Sequence, residues 1–170
     1  LRGNQLTSIP DQIGQLKKLQ KLSMQQNQLK ELPASLFELI ELTGLYIWGN
    51  QLTQFPEQIG KLTKLQELNI GSNQIQYIPD ALWELSELTL LYIWGNNIPI
   101  SSDDIYQLHK LQELGLDIQQ FQQIQDVSFD KLSTLKALSL WGDKNQSAPM
   151  PAKVKLLSNL NELRLNVLAV

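Results

Sequence analysis

The chain has 170 residues, 42% of them hydrophobic and 18% charged, which suits one domain with a sizeable core and argues against disorder. Its formal net charge of -3 and the lack of a basic run argue against nucleic acid or an anionic membrane surface as a partner. No stretch is apolar for long enough to insert into a bilayer, and the absence of cysteine excludes disulfides, thiolate metal sites and a cysteine nucleophile.

An asparagine recurs every 23 residues and sets the phase of the residues around it. These asparagines are Asn4, Asn27, Asn50, Asn73 and Asn96. Apolar residues lie three and five positions before each of the last four, and another lies two positions after every one. An apolar-proline pair follows the first four, as in Leu32-Pro33. So many positions in one phase indicate an internal repeat.

Each part of the repeat predicts a local structure. The alternating apolar residues before the asparagine predict a short strand with one buried face, and the proline ends strand pairing. The wider spacing of Leu36, Leu39 and Leu42 suits a turn of α- or 3₁₀-helix packed inward. Stacked units bury the face that one unit cannot, at about 1.5–3 kcal/mol per buried Leu or Ile. We expect the strands to form one parallel sheet in chain order, with the asparagine amides bridging adjacent repeats as a ladder.

The pattern Leu-x-x-Leu-x-Leu-x-x-Asn-x-Leu-x-x-Leu-Pro-x-x-Ile resembles the leucine-rich-repeat family. Its 23-residue form is similar to repeats of bacterial proteins and of Ras-pathway scaffold proteins. The match is close over residues 1–143 and loose over 144–170. The resemblance implies an α/β fold: a right-handed solenoid, or horseshoe, with a concave parallel β-sheet and convex 3₁₀ or short α segments. It also implies protein–protein recognition.

A second period is superimposed on the first. Residues 9–54 and 55–100 align without gaps and share 24 of 46 positions, so the duplicated unit is a pair of repeats. After about residue 100 the pattern becomes irregular, because the asparagine slots hold Gln119 and Asp143. We therefore expect a less regular sheet beyond Gln119. Asp103 and Asp104 precede a helical apolar pattern, which predicts a capped α-helix on the convex side.

Residues 1–170 are thus predicted to be a single domain of about seven repeats. Leu1 falls in the middle of a strand and the last four residues are apolar, so we expect a fragment of a longer array. Residues 144–151 form a longer loop, either a degenerate repeat or a rim contact for a ligand.

Enzyme signatures are missing from the sequence. His109 is the only histidine and falls on a convex segment, and the nine glycines occur singly rather than in a phosphate-binding loop. Adjacent Asp103 and Asp104 lack the alternating spacing of a calcium loop. We expect neither catalysis, nor a metal, nor a cofactor.

The outward-facing strand positions, two and four residues before each asparagine slot, carry large aromatics in alternate repeats. The candidate ligand-binding residues on the concave face are Tyr46, Trp48, Tyr92, Trp94, Trp141, Gln25, Asn69 and Asp117. Exposed Trp and Tyr are frequent anchors of protein interfaces, so this aromatic stripe predicts a binding surface for another protein. Two further large residues, Phe37 and Trp83, fall on convex segments.

The sequence also allows two alternative roles for the stripe. The aromatics could be copied by duplication and simply pack on neighbouring side chains. A glycan could also stack alternate sugars on rings about 10 Å apart, two strands from each other. Gly49, Gly95 and Gly142 follow each Trp and either make room beside the indole or form a turn that needs glycine.

Overall fold

A computed structural model describes residues 1–124, 131–142 and 151–167 and confirms the predicted solenoid. Seven parallel strands form one sheet in chain order, as expected. They are β1 (Lys21–Ser23), β2 (Gly44–Tyr46), β3 (Glu67–Asn69), β4 (Leu90–Tyr92), β5 (Glu113–Asp117), β6 (Ala137–Gly142) and β7 (Glu162–Val167). Consecutive parallel strands joined by return segments give the open, curved sheet of a horseshoe.

The register of the sheet follows from one leucine per strand. Leu22 pairs with Leu45, Leu45 with Leu68, and the series continues through Leu91, Leu114, Leu138 and Leu163. All but the first and last of these leucines are completely buried. Because strand side chains alternate, burying the leucine turns both of its neighbours toward the concave surface.

Prolines start most of the convex return segments. Five prolines occupy helix N-cap positions, the first four of them with extended backbone: Pro10, Pro33, Pro56, Pro79 and Pro151. The 3₁₀-helices span Asp11–Gln15, Ala34–Glu38, Glu57–Lys61 and Ala152–Leu156, and the α-helices are α1 (Asp80–Trp83), α2 (Ser102–Tyr106) and α3 (Ile118–Gln123). None of the helices in the described ranges is long and apolar enough to cross a membrane. The predicted convex α-helix after residue 100 is present as α2, but Asp103 and Asp104 lie in its first turn rather than at the cap. The N-cap is Ser101, whose hydroxyl accepts from Asp103 N at 3.3 Å.

Two large aromatics of the convex segments belong to the core. Phe37 is fully buried and Trp83 is 4% exposed. The Phe37 ring packs edge-on against Phe55 with centroids 6.3 Å apart. We number each repeat by its strand. These side chains fill the space between the sheet and the convex wall in the even-numbered repeats of β2 and β4.

The last three strands of the sheet are longer than the first four, and the expected loss of regularity beyond Gln119 stays a prediction. Strands β5, β6 and β7 have five or six residues, whereas β1 to β4 have three. The reason is local: β5 continues to Asp117 and the chain enters α3 directly at Ile118, without the turn that ends earlier strands. Asp143 and most of the 144–151 loop lie outside the described residues.

Candidate concave binding face

Three tryptophans form a continuous row across the concave face. The rings of Trp48 and Trp94 have centroids 6.4 Å apart, and those of Trp94 and Trp141 stack at 4.7 Å with an interplanar angle of 11°. Tyr92 meets Trp141 edge-on at 5.5 Å. All four side chains are partly exposed, so they are neither core residues nor isolated surface residues. We call Trp48, Trp94 and Trp141 the indole row.

The separation of about 10 Å expected for rings two strands apart is wrong. The indoles lean over the intervening strands, where the corresponding residues are small. A Cβ placed on Gly71 would lie 2.6 Å from Cε2 of Trp94, and one on Gly115 would lie 2.6 Å from Cδ1 of Tyr92. Gly71 therefore leaves room for the ring of Trp94, and Gly115 leaves room for the rings of Tyr92 and Trp141.

The two stripe tyrosines point along the sheet toward a glutamate on the next strand. The Tyr46 hydroxyl donates to Glu67, which also pairs with Lys21 at 3.1 Å. Because Gly44 has no side chain, Lys21 on β1 can reach Glu67 on β3 across β2. The tyrosine rings are thus held in place by charged neighbours.

The Tyr92 hydroxyl lies in a larger polar cluster near the C-terminal end. It donates to Glu113, lies 3.4 Å from Ser139 Oγ, and accepts from Arg164 Nη1 at 3.0 Å. Arg164 also pairs with Glu113 and with Glu162. Burial, and secondarily the hydrogen bond to Glu113, raises the pKa of Tyr92 to about 12. Sequence reasoning missed Glu113 and Arg164, whose pairing depends on curvature that no local pattern reports.

Two of the three polar candidates of the stripe accept hydrogen bonds from the protein's own backbone. Asn69 Oδ1 accepts from the Gly71 amide at 3.1 Å, and the Asp117 carboxylate accepts from the Gly95 amide at 2.9 and 3.0 Å. Gln25 Oε1 is buried with no hydrogen-bond partner among the described residues. Burial raises the pKa of the Asp117 carboxyl, while hydrogen bonds from the amides of Gly95 and Asn96 act in the opposite direction.

The asparagines form a continuous series of amide bridges between repeats. Asn50 Nδ2 donates to the carbonyls of Met24 and Ile47 at 3.1 and 2.9 Å, and Asn50 Oδ1 accepts from Leu29 N at 3.0 Å. The other three with this pattern, bonded in the same way to the repeat before, are Asn27, Asn73 and Asn96. Asn4 is exposed and donates instead to the Arg2 carbonyl at 3.2 Å.

Gln119 occupies the first slot that lacks asparagine, but the amide that bridges two repeats there belongs to the next residue, Gln120. Gln119 is exposed, whereas Gln120 is 5% exposed. Gln120 Oε1 accepts from Asp117 N at 2.9 Å, and its Nε2 donates to the Ile98 carbonyl at 3.2 Å. The longer side chain, placed in α3, replaces the ladder asparagine. A search restricted to asparagine slots could not find it.

The glycines that follow Trp48 and Trp94 serve a turn. Gly49 and Gly95 have φ of 69° and 64°, in the left-handed region. The same slot in other repeats also has positive φ, at Gln26 (57°) and Ser72 (48°). This turn carries the chain from each strand to the asparagine, so these two glycines do not indicate a ligand. Gly142 has no positive φ; a Cβ on it would lie 3.0 Å from Ile118 Cδ1.

A cleft opens at the rim where the indole row ends. Its volume is about 640 Å³, and its walls include Asp117 and Trp141 of the stripe together with Gly95, Ile118 and Gln123. We call it the rim cleft. No group of three or more His, Asp or Glu side chains that could hold a metal occurs in the part of the chain that the structure describes. His109, the single histidine of the sequence, lies exposed on the convex side.

A curved parallel sheet with an amide ladder defines the class of repeat solenoids, and comparison with known proteins gives the family. The family model described as a leucine-rich repeat region matches residues 1–167, so the chain belongs to the leucine-rich-repeat family. No curated protein sequence matches it.

Solved structures agree with this assignment. A leucine-rich-repeat protein of Leptospira interrogans is 32% identical, with a TM-score of 0.78 over 98% of this chain and 42% of its own. An internalin of Listeria monocytogenes is 25% identical, with a TM-score of 0.69 over 95% of this chain and 46% of its own. A plant peptide hormone receptor, at 21% identity and a TM-score of 0.62 over 98% of this chain and 32% of its own, shares the fold. The chain thus spans less than half the length of each of these proteins.

Proposed function

We propose that the chain is a non-enzymatic protein-recognition module that binds a partner on its concave face through the indole row. The observation that supports this most is the row itself: three contacting, partly exposed indoles on the open face of the sheet. Large exposed aromatics in contact with one another are typical of the centre of a protein interface. Each indole already packs against another ring of the row, so little side-chain entropy is lost when a partner docks.

The family and its bacterial relatives support the same class of function. Leucine-rich repeats offer a long concave surface and few cavities, which suits a protein ligand more than a small molecule. The acidic net charge favours a partner with a neutral or basic surface.

The glycan alternative has less support. Rings at 4.7 and 6.4 Å leave no gap for a sugar between them, so a chain of alternately stacked sugars does not fit the spacing. One polar group that would bind a hydroxyl is also engaged, since Asn69 Oδ1 accepts a hydrogen bond from the Gly71 amide. A single sugar on the outer face of one indole is the form of glycan binding that the geometry leaves room for.

The test is a titration of a partner against indole-row variants. The immobilised domain captures candidates from an extract of the source organism, and mass spectrometry identifies those retained by the wild type. Each candidate is then purified and titrated by calorimetry. Trp48→Ala should weaken binding by roughly tenfold or more, since truncating a central aromatic commonly costs about 2 kcal/mol.

The controls separate the concave face from the rest of the surface. Ile40→Ala and His109→Ala remove exposed side chains outside the sheet and should leave the affinity unchanged. Circular dichroism checks that each variant is folded. Unchanged affinity in a folded Trp48→Ala, Trp94→Ala double variant would refute the proposed surface. A glycan array probed with the same proteins measures the alternative.

A further inference from the structure

We infer that the rim cleft is a pocket for a basic side chain, lysine or arginine, whose charge pairs with Asp117 while its aliphatic stem lies against Trp141. The inference rests on the proposed recognition function and adds the chemistry of the group that the partner presents. Asp117 on β5 pairs in register with Trp141 on β6, so one carboxylate and one indole lie side by side at the end of the indole row.

The described residues that line the rim cleft carry charge of one sign. Among the described residues that line it, Asp117 alone is charged. None of the ion pairs found within the described ranges includes Asp117. Its carboxylate is partly buried, lines the cleft and accepts from the backbone amides of Gly95 and Asn96, which fix its position. A partly desolvated carboxylate without a cation attracts a cationic ligand more strongly than one in bulk water.

The other walls suit the rest of a basic side chain. An indole face attracts an ammonium or guanidinium group within about 6 Å of its centroid and also covers the methylene stem. Ile118 and Pro99 add apolar surface, and the carboxamides of Asn97 and Gln123 can bond the backbone that carries the side chain. The volume of about 640 Å³ leaves room for the side chain and a short stretch of backbone.

The test uses small probes, so that it does not depend on knowing the partner. The ¹⁵N-labelled domain is titrated with N-acetyl-arginine amide and N-acetyl-lysine amide, and in parallel with the neutral citrulline and norleucine analogues. The cationic probes should give saturable shifts at the amides of Gly95 and Gly142 and at the indole N–H of Trp141. The neutral analogues should bind at least roughly tenfold more weakly, as expected for a lost charge-assisted hydrogen bond.

A matched pair of variants tests whether the charge of Asp117 binds the cationic probes. Asp117→Asn keeps an acceptor for the Gly95 amide and should reduce affinity for the cationic probes by about tenfold. Asp11→Asn removes the same charge from an exposed convex position and should have no effect. Equal shifts from neutral and cationic probes on the wild-type domain would overturn the inference, whatever the fold of the variants. Such a result would leave the partner titration with Trp48→Ala intact, so the two proposals fail separately.

Discussion

The indole of Trp94 lies over Gly71 at a distance that leaves no room for a side chain on the glycine. A Cβ at Gly71 would stand 2.6 Å from Cε2 and 2.7 Å from Nε1 of the indole. Gly115 has the same relationship with Tyr92 and Trp141. At these two positions the alternation of aromatic and glycine between neighbouring repeats therefore has a physical basis, since Trp94 and Tyr92 each require glycine in an adjacent repeat.

Gly71→Ala should destabilise the domain although alanine normally stabilises an ordered chain relative to glycine. The added methyl group must displace the Trp94 ring, at a cost of about 1–3 kcal/mol in the free energy of unfolding. Urea denaturation measures it. In a Trp94→Leu background the same substitution should cost clearly less, because the ring that clashes is gone. An equal cost in both backgrounds would mean that the backbone, rather than the indole, demands glycine at this position.

Asn73→Ala should lower the free energy of unfolding by about 1–3 kcal/mol, since it removes a partner of Leu52 N and of three buried carbonyls. Asn4→Ala is the matched control, because Asn4 has the same phase but an exposed amide. It should change stability by no more than about 0.5 kcal/mol. Similar losses in both variants would show that burial of the amide is not what makes the ladder stabilising.

The sequence predicts the parallel sheet, its register and the buried leucines because these features depend only on the period of the sequence repeat. A 23-residue repeat with one alternating stretch fixes which strand residues face the core, and thereby places Tyr46, Trp48, Tyr92, Trp94 and Trp141 on the opposite face. Solenoid contacts are between adjacent repeats, so the repeat phase carries most of the three-dimensional information.

Features that depend on curvature and on side-chain rotamers could not be predicted in this way. Ring spacing is one, since strand separation gives about 10 Å for positions two strands apart. The leaning indoles reduce it to 4.7 Å between Trp94 and Trp141. The hydrogen bond from Arg164 to Tyr92, which lies 72 residues away along the chain, is a second such feature. Gln120 is a third, because α3 moves the bridging amide one residue beyond the expected slot.

Ser72→Gly should stabilise the domain. Ser72 has φ of 48°, a left-handed conformation that costs an L-residue about 1–2 kcal/mol, and the equivalent positions Gly49 and Gly95 carry glycine. The greater flexibility of unfolded glycine offsets part of the gain, so we expect a net increase of up to about 1 kcal/mol in the free energy of unfolding. Thermal denaturation measures the change. The reverse substitution, Gly49→Ser, should lower the midpoint, and a rise there would contradict the strain argument.

Tyr92 should ionise late and make the domain sensitive to alkali. Burial and Glu113 raise its folded pKa from 10.0 to about 12. Above pH 10 the unfolded chain loses a proton that the folded chain retains, so the stability contributed by Tyr92 is complete below pH 10 and is lost between pH 10 and 12. Rapid pH-jump absorbance, read before the chain unfolds, should show a phenolate step near pH 12. Tyr92→Phe should abolish this step, whereas Tyr77→Phe, at an exposed position, should retain it. If the step near pH 12 survives in Tyr92→Phe, another tyrosine produces it. The hydrogen bond between Tyr92 and Glu113 would then not explain it.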